Sequence, residues 1–173
     1  ISYRSQSPDR DLAEEFYQTL KAAGHEVFLA AESIRLGDNW SQRIDQELER
    51  CDYFLLLLSP KSATSEMVTE EVRRAKELRD TRESGKPGIL PIRVNFPLSS
   101  PLNYDLRGYL SRIQQREWGS TEDTSKITQE ILSILANEEM PELIELHERK
   151  APVDDWAETP DHPPLPVAEP ELR

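Results

Sequence analysis

Glu71 and Arg4 are the side chains whose type and setting suit chemistry at the end of a sheet. Glu71 stands one turn beyond Met67, on a segment where Val68, Val72 and Ala75 recur at helical spacing, so its carboxylate falls at the rim of the apolar stripe. Glu70 points further round, toward solvent. The segment follows the apolar run Tyr53 to Leu58 and then Ser59-Pro60, so the helix carries the acid back toward a strand end. In open α/β sheets, ligands collect beyond the carboxyl ends of the strands. An acid aimed there is either a solvated rim group or a catalytic one, and periodicity does not choose between them. Arg4 belongs to the loop Tyr3 to Asp9, ahead of a helix, where backbone N–H groups favour an anion and a guanidinium adds a bidentate phosphate contact. An ordinary capped loop accounts for the same residues.

Other chemistries find little support. His25, His147 and His162 are scattered, with no HxxxH or HExxH pair and no Ser/His/Asp set. The chain has 6 glycines and neither a Walker A nor a GxGxxG pattern, which argues against metal-dependent and hydride chemistry. Cys51 is the only cysteine, so no disulfide within the chain and no multi-cysteine zinc site can form; it reads as a small, half-buried residue before a strand.

Of 173 residues, 36% are hydrophobic and 31% charged, which fits a soluble globular domain with a full core and an additional segment. No stretch approaches the roughly 20 apolar residues of a membrane span, and no signal peptide is visible. The net charge of -12 is concentrated from Asn137 onward, and an acidic surface argues against nucleic acid and anionic membrane as partners. A reducing, cytoplasmic setting suits the lone cysteine. The opening Ile1-Ser2-Tyr3 reads as the end of a strand already in progress, which suggests an excised piece of a longer protein.

Elements that would position Glu71 and Arg4 alternate along the chain. Helical spacing runs from Asp11 to Ala23, where Gly24 stops it, and Val27 to Leu29 reads as a short strand. Asp38 is the expected cap of a helix bearing Trp40, Ile44 and Leu48. The continuous apolarity of Tyr53 to Leu58 predicts a central strand covered on both faces. A helix over Ser65 to Leu78, a strand over Ile89 to Val94, a short helix near Tyr104 to Leu110, a strand near Gln114 to Trp118 and a helix over Thr124 to Leu135 follow. Pro91 suggests an edge position or a bulge. The alternation predicts an α/β, flavodoxin-like three-layer sandwich with a central parallel sheet of about five strands, over residues 1–136. Residues 137–150 suit an extra helix. Residues 151–173, rich in proline and acid, read as a linker toward a fused domain or as a plain disordered end. The loop Ala30 to Asp38 is long for a βα link, as site-covering or partner-binding loops are, with Ile34 and Leu36 either exposed or folded back.

Ile1-Ser2-Tyr3-Arg4, Gly24 to Leu29, Ile34-Arg35-Leu36-Gly37-Asp38-Asn39-Trp40, Leu57-Leu58-Ser59-Pro60, Glu71-Val72 and Ile89-Leu90-Pro91-Ile92 together resemble the signature segments of Toll/interleukin-1 receptor (TIR) domains, in order and spacing. Gly37-Asp38-Asn39-Trp40 and the Ile-Leu-Pro-Ile-Arg strand are closest in style to bacterial members. The resemblance implies NAD+ glycohydrolase activity with Glu71 as the catalytic carboxylate, NAD+ being substrate, with no cofactor and no metal. It implies a substrate site around Tyr3, Arg4, Ser5, Ala31, Arg35, Trp40 and Met67. It further implies homotypic TIR–TIR contacts through a BB loop comprising Ser33, Ile34, Arg35, Leu36, Gly37 and Asp38, activation by self-assembly in signalling or immunity, and fusion to an effector or sensor domain. The chain departs from the pattern in carrying Ala30-Ala31 where many members have an acid, basic Arg35 where some active members are acidic, and Met67 in place of a more usual Trp. Receptor and adaptor members act instead as scaffolds, so a non-catalytic TIR–TIR interaction module is the alternative reading. A phospho-receiver, which shares the layout, needs an Asp where Ser59-Pro60 stand.

Overall fold

Tyr53–Leu58 forms β1, and its apolar residues divide between the two faces of a parallel sheet as the strand's period of two requires. Leu55 and Leu57 pack with Leu12, Phe16, Ile127 and Ile131 on one side. Phe54, Leu56 and Leu58 pack with Val68, Val72, Leu106 and Leu110 on the other. The structure, a computed structural model, describes residues 1–30, 37 and 39–137. In chain order the described helices are α1 (Asp9–Ala22), α2 (Trp40–Arg50), α3 (Glu66–Thr81), α4 (Tyr104–Leu110) and α5 (Thr121–Asn137). The strands β2 (Gly88–Val94) and β3 (Arg116–Trp118) complete a sheet of order β1-β2-β3, all parallel. With α1 and α5 over one face and α2, α3 and α4 over the other, the architecture is the expected three-layer, flavodoxin-like α/β sandwich.

Local chemistry sets the element ends. Gly24, at φ +90, closes α1: its N–H donates to the Lys21 carbonyl, and the His25 N–H donates to that of Leu20, the paired bonds of a Schellman motif. Asn39, not Asp38, caps α2, its side chain accepting from the Gln42 N–H at 3.2 Å. Ser65 caps α3 by accepting from Val68 N–H at 3.5 Å.

The sheet holds three strands among the described residues, not the expected five. Ile1 to Tyr3 makes a single parallel bridge, Ser2 to Leu56, which is too little for a ladder. Val27 to Leu29 is not a strand: its described link to that segment is the Ile1 amino group donating to the Phe28 carbonyl at 2.9 Å. Pro91 lies in the middle strand and opposite Leu56, not at an edge or bulge. The sheet tolerates it because Gly88 N–H donates to Asp52 on the β1 side, so the nitrogens of alternate residues, Pro91 among them, face the other way, and the β3 ladder begins only at Ile92. The extra helix and the linker, residues 138–173, lie outside the described residues. No described helix is long and apolar enough to cross a membrane.

Candidate functional site

The end of β1 leads into α3 through a turn that serine side chains hold. Ser59 N–H donates to the Ser62 hydroxyl at 2.8 Å, and a 3-10 turn, Ser62–Thr64, delivers the chain to the Ser65 cap. Val68 and Val72 anchor α3 in the core, Val72 being 0% exposed. Glu71, beside Val72, is thereby left half-buried. Its Oε2 accepts a hydrogen bond from the Ser2 hydroxyl at 2.5 Å, across 69 residues of sequence. Ser2 is itself 8% exposed and pinned through its backbone: its N–H donates to Leu55 at 2.8 Å and its carbonyl accepts from Leu57 at 2.9 Å.

Burial pushes the Glu71 carboxyl above its ordinary value, while the Ser2 hydroxyl pulls the other way. One residue earlier on the same helix, Glu70 is exposed and paired with Arg73, whose guanidinium holds it below the usual carboxylate range; Arg73 also bonds Glu77. The two neighbours therefore belong to different environments, a buried hydroxyl-bound one and a solvated ion-pair ladder.

Glu71 opens onto space. A cavity of about 290 Å³ is lined by Trp40, Ile44, Asp45, Met67, Glu71 and Arg74. A larger one, of about 960 Å³, shares Trp40, Ile44, Met67 and Glu71 with it and continues past Ser2, Tyr3 and Ser5 to Phe28. Small-ligand sites span about 300–1,000 Å³, so the room is of the right order. Trp40, 48% exposed at the first position of α2, and Met67, 50% exposed on α3, are large apolar groups left uncovered on this rim. They offer flat and polarizable surface beside the acid.

Of the sequence-predicted site residues, Tyr3, Ser5, Trp40, Met67 and Glu71 line these cavities. Arg4 lines neither: its guanidinium bonds the Gln6 side chain and lies near Asp9. Ala31, Ser33, Ile34, Arg35, Leu36 and Asp38 lie outside the described residues. Gly37, within the same expected loop, has φ +94, a conformation that side chains disfavour and proline cannot adopt. Sequence reasoning passed over Ser2. A serine near the start of the chain carries no mark of a partner on a distant helix, and only strand pairing brings the two together. It also passed over Asp9, a 1% exposed carboxyl at the start of α1 that lies near Ser59 and whose Oδ2 has no partner.

A half-buried carboxylate with one oxygen held, an aromatic and a thioether on its rim, and a cavity of ligand size can stabilise positive charge that develops on a bound molecule. No curated protein matches the chain. A family model described as TIR domain matches residues 1–132, more than half of it.

Proposed function

The chain belongs to the TIR domain family, and on that premise we propose that it cleaves the nicotinamide–ribose bond of NAD+, with Glu71 as the catalytic carboxylate. The observation that carries this reading is the half-buried Glu71 carboxylate, which takes Ser2 as a partner and faces a cavity rimmed by Trp40 and Met67. Cleavage of the N-glycosidic bond leaves an oxocarbenium-like ribose. Nicotinamide departs as a neutral group, so no general acid is required. An ionised carboxylate at the sugar holds its hydroxyls and stabilises the developing cation, as a glycosidase carboxylate does. Water attack then yields ADP-ribose, and attack by the adenine ring yields a cyclic product.

The same reading has copies of the domain associating through the loop from Ser33 to Asp38, so that a neighbour completes the pocket in a head-to-tail contact. Activity then rises steeply with protein concentration. It serves signalling or defence in the cytoplasm, under the control of a fused sensor or effector domain.

The test is incubation of concentrated protein with NAD+ and chromatography of the products, wild type beside Glu71→Ala. Wild type is expected to release nicotinamide, and the variant to lose at least about 100-fold in rate while keeping its thermal midpoint. Equal turnover in the two proteins rejects the assignment of Glu71. If wild type consumes no NAD+ at any concentration, the domain is a TIR–TIR interaction module and the catalytic reading is withdrawn.

A further inference from the structure

We propose that Ser2 is a positioning residue for Glu71: pinned to β1 by its backbone, it presents a fixed hydroxyl that orients the Glu71 carboxylate toward the cavity. The inference deepens the proposed NAD+ cleavage and rests on that reading for its consequence in catalysis. The structural relation stands independently of it.

Ser2 is well suited to the task. Both of its backbone hydrogen-bonding groups are spent on β1, at 2.8 Å to Leu55 and 2.9 Å from Leu57, so its Cα cannot drift with the loop that follows. Its hydroxyl has one proton to give, and the acceptor is Glu71 Oε2 at 2.5 Å. A hydroxyl donating to a carboxylate stabilises the ionised form and fixes the plane of the group. Glu71 rides on a helix anchored by Val72, so the bond joins the bridged first segment to α3 across 69 residues of sequence.

Charges around Glu71 give it few other partners. On α2, Arg43 pairs with Glu47 at 2.9 Å, and Asp45 lines the smaller cavity. On α3, Arg74 is drawn to Glu49 at 2.8 Å, Glu70 to Arg73, and Glu66 lines the same cavity. The 25–28 segment brings His25 and Glu26 to the wall of the larger cavity, and burial keeps the Cys51 thiol neutral, pushed up to about 11. Arg43, Arg73 and Arg74 are thus engaged by other acids, and Arg50 also stands on the wall of the larger cavity. The Ser2 hydroxyl is the group aimed at Glu71.

The experiment measures the Glu71 titration directly by carbon-13 NMR of glutamate-labelled full-length protein, alongside the pH profile of NAD+ cleavage. It compares wild type with Ser2→Ala and Ser2→Thr, and adds Ser2→Val as a shape match for Thr should Ala disturb the fold. Loss of the hydroxyl in Ala or Val is expected to move the Glu71 midpoint upward. The acid limb of kcat/KM should follow, with rate falling about tenfold on that limb and KM nearly unchanged. Thr, which keeps the hydroxyl, should restore both. A midpoint unmoved by losing the hydroxyl, or Thr and Val behaving alike, overturns the inference. Should wild type cleave no NAD+, the cleavage reading fails, and the NMR midpoints still decide the role of Ser2.

Discussion

Asp9, which is buried, and Glu71, which is half-buried, are carboxyls in two corners of one domain, and of the two only Glu71 lines the cavities described above. Burial raises each above its ordinary value, and a serine hydroxyl opposes the shift in each, Ser59 at Asp9 and Ser2 at Glu71. Asp9 is 1% exposed, lines neither cavity, and leaves Oδ2 without a partner. Glu71 lines both cavities beside Trp40 and Met67. A perturbed carboxyl is therefore not by itself a sign of catalysis. It becomes one where a substrate has room to reach it, and in the closed corner the same perturbation is a cost of folding.

The sharpest way to break that contrast is to neutralise each acid in turn. Glu71→Gln is expected to cut NAD+ cleavage by about 100-fold or more, and Asp9→Asn to leave kcat within about threefold, by initial rates at saturating substrate. Equal losses would mean that room for substrate does not separate the two corners. Trp40→Ala tests the open corner from its wall: KM for NAD+ should rise about three- to tenfold with kcat much less affected, because an exposed ring is removed beside the acid and not the acid itself.

pH sharpens the closed corner. The folded state holds the Asp9 proton above the unfolded value near 3.8, so it binds more protons than the unfolded chain between that value and the raised one. Stability therefore falls as pH climbs through this window. Asp9→Asn should lose that part of the pH dependence in urea titrations at several pH values, and parallel curves for the two proteins would refute the buried-acid account. The smallest effect belongs to Glu70→Gln, one residue from Glu71 but in the solvated ladder with Arg73 and Glu77. Turnover should stay within about twofold and the thermal midpoint within about a degree.

Much of this arrangement was legible in the sequence because it is local. The unbroken apolarity of Tyr53 to Leu58 announced a strand covered on both faces, and Gly24 announced the end of α1. Helical spacing put Glu71 beside the core stripe, and the TIR-like segments supplied its candidate role. What escaped depends on partners far apart in sequence. The Ser2–Glu71 bond spans 69 residues. Pro91 reads as an edge residue until the direction of its nitrogen and the start of β3 at Ile92 are known. Asp9, among the polar residues of its loop, gives no sign that the Ser59 turn folds over it. The choice of Asn39 over Asp38 as a cap turns on one residue of register, finer than spacing resolves.

The Pro91 ring also limits what this side of the sheet can join. β3 is the outer strand, three residues long, and its exposed Arg116 and Glu117 are charged, with Arg116 tied back to Glu130. Pro91 offers no donor where β3 would have to lengthen toward its start. So short and charged a margin is a poor template for a foreign strand. A second copy of the domain is thus steered away from runaway cross-strand stacking on this flank.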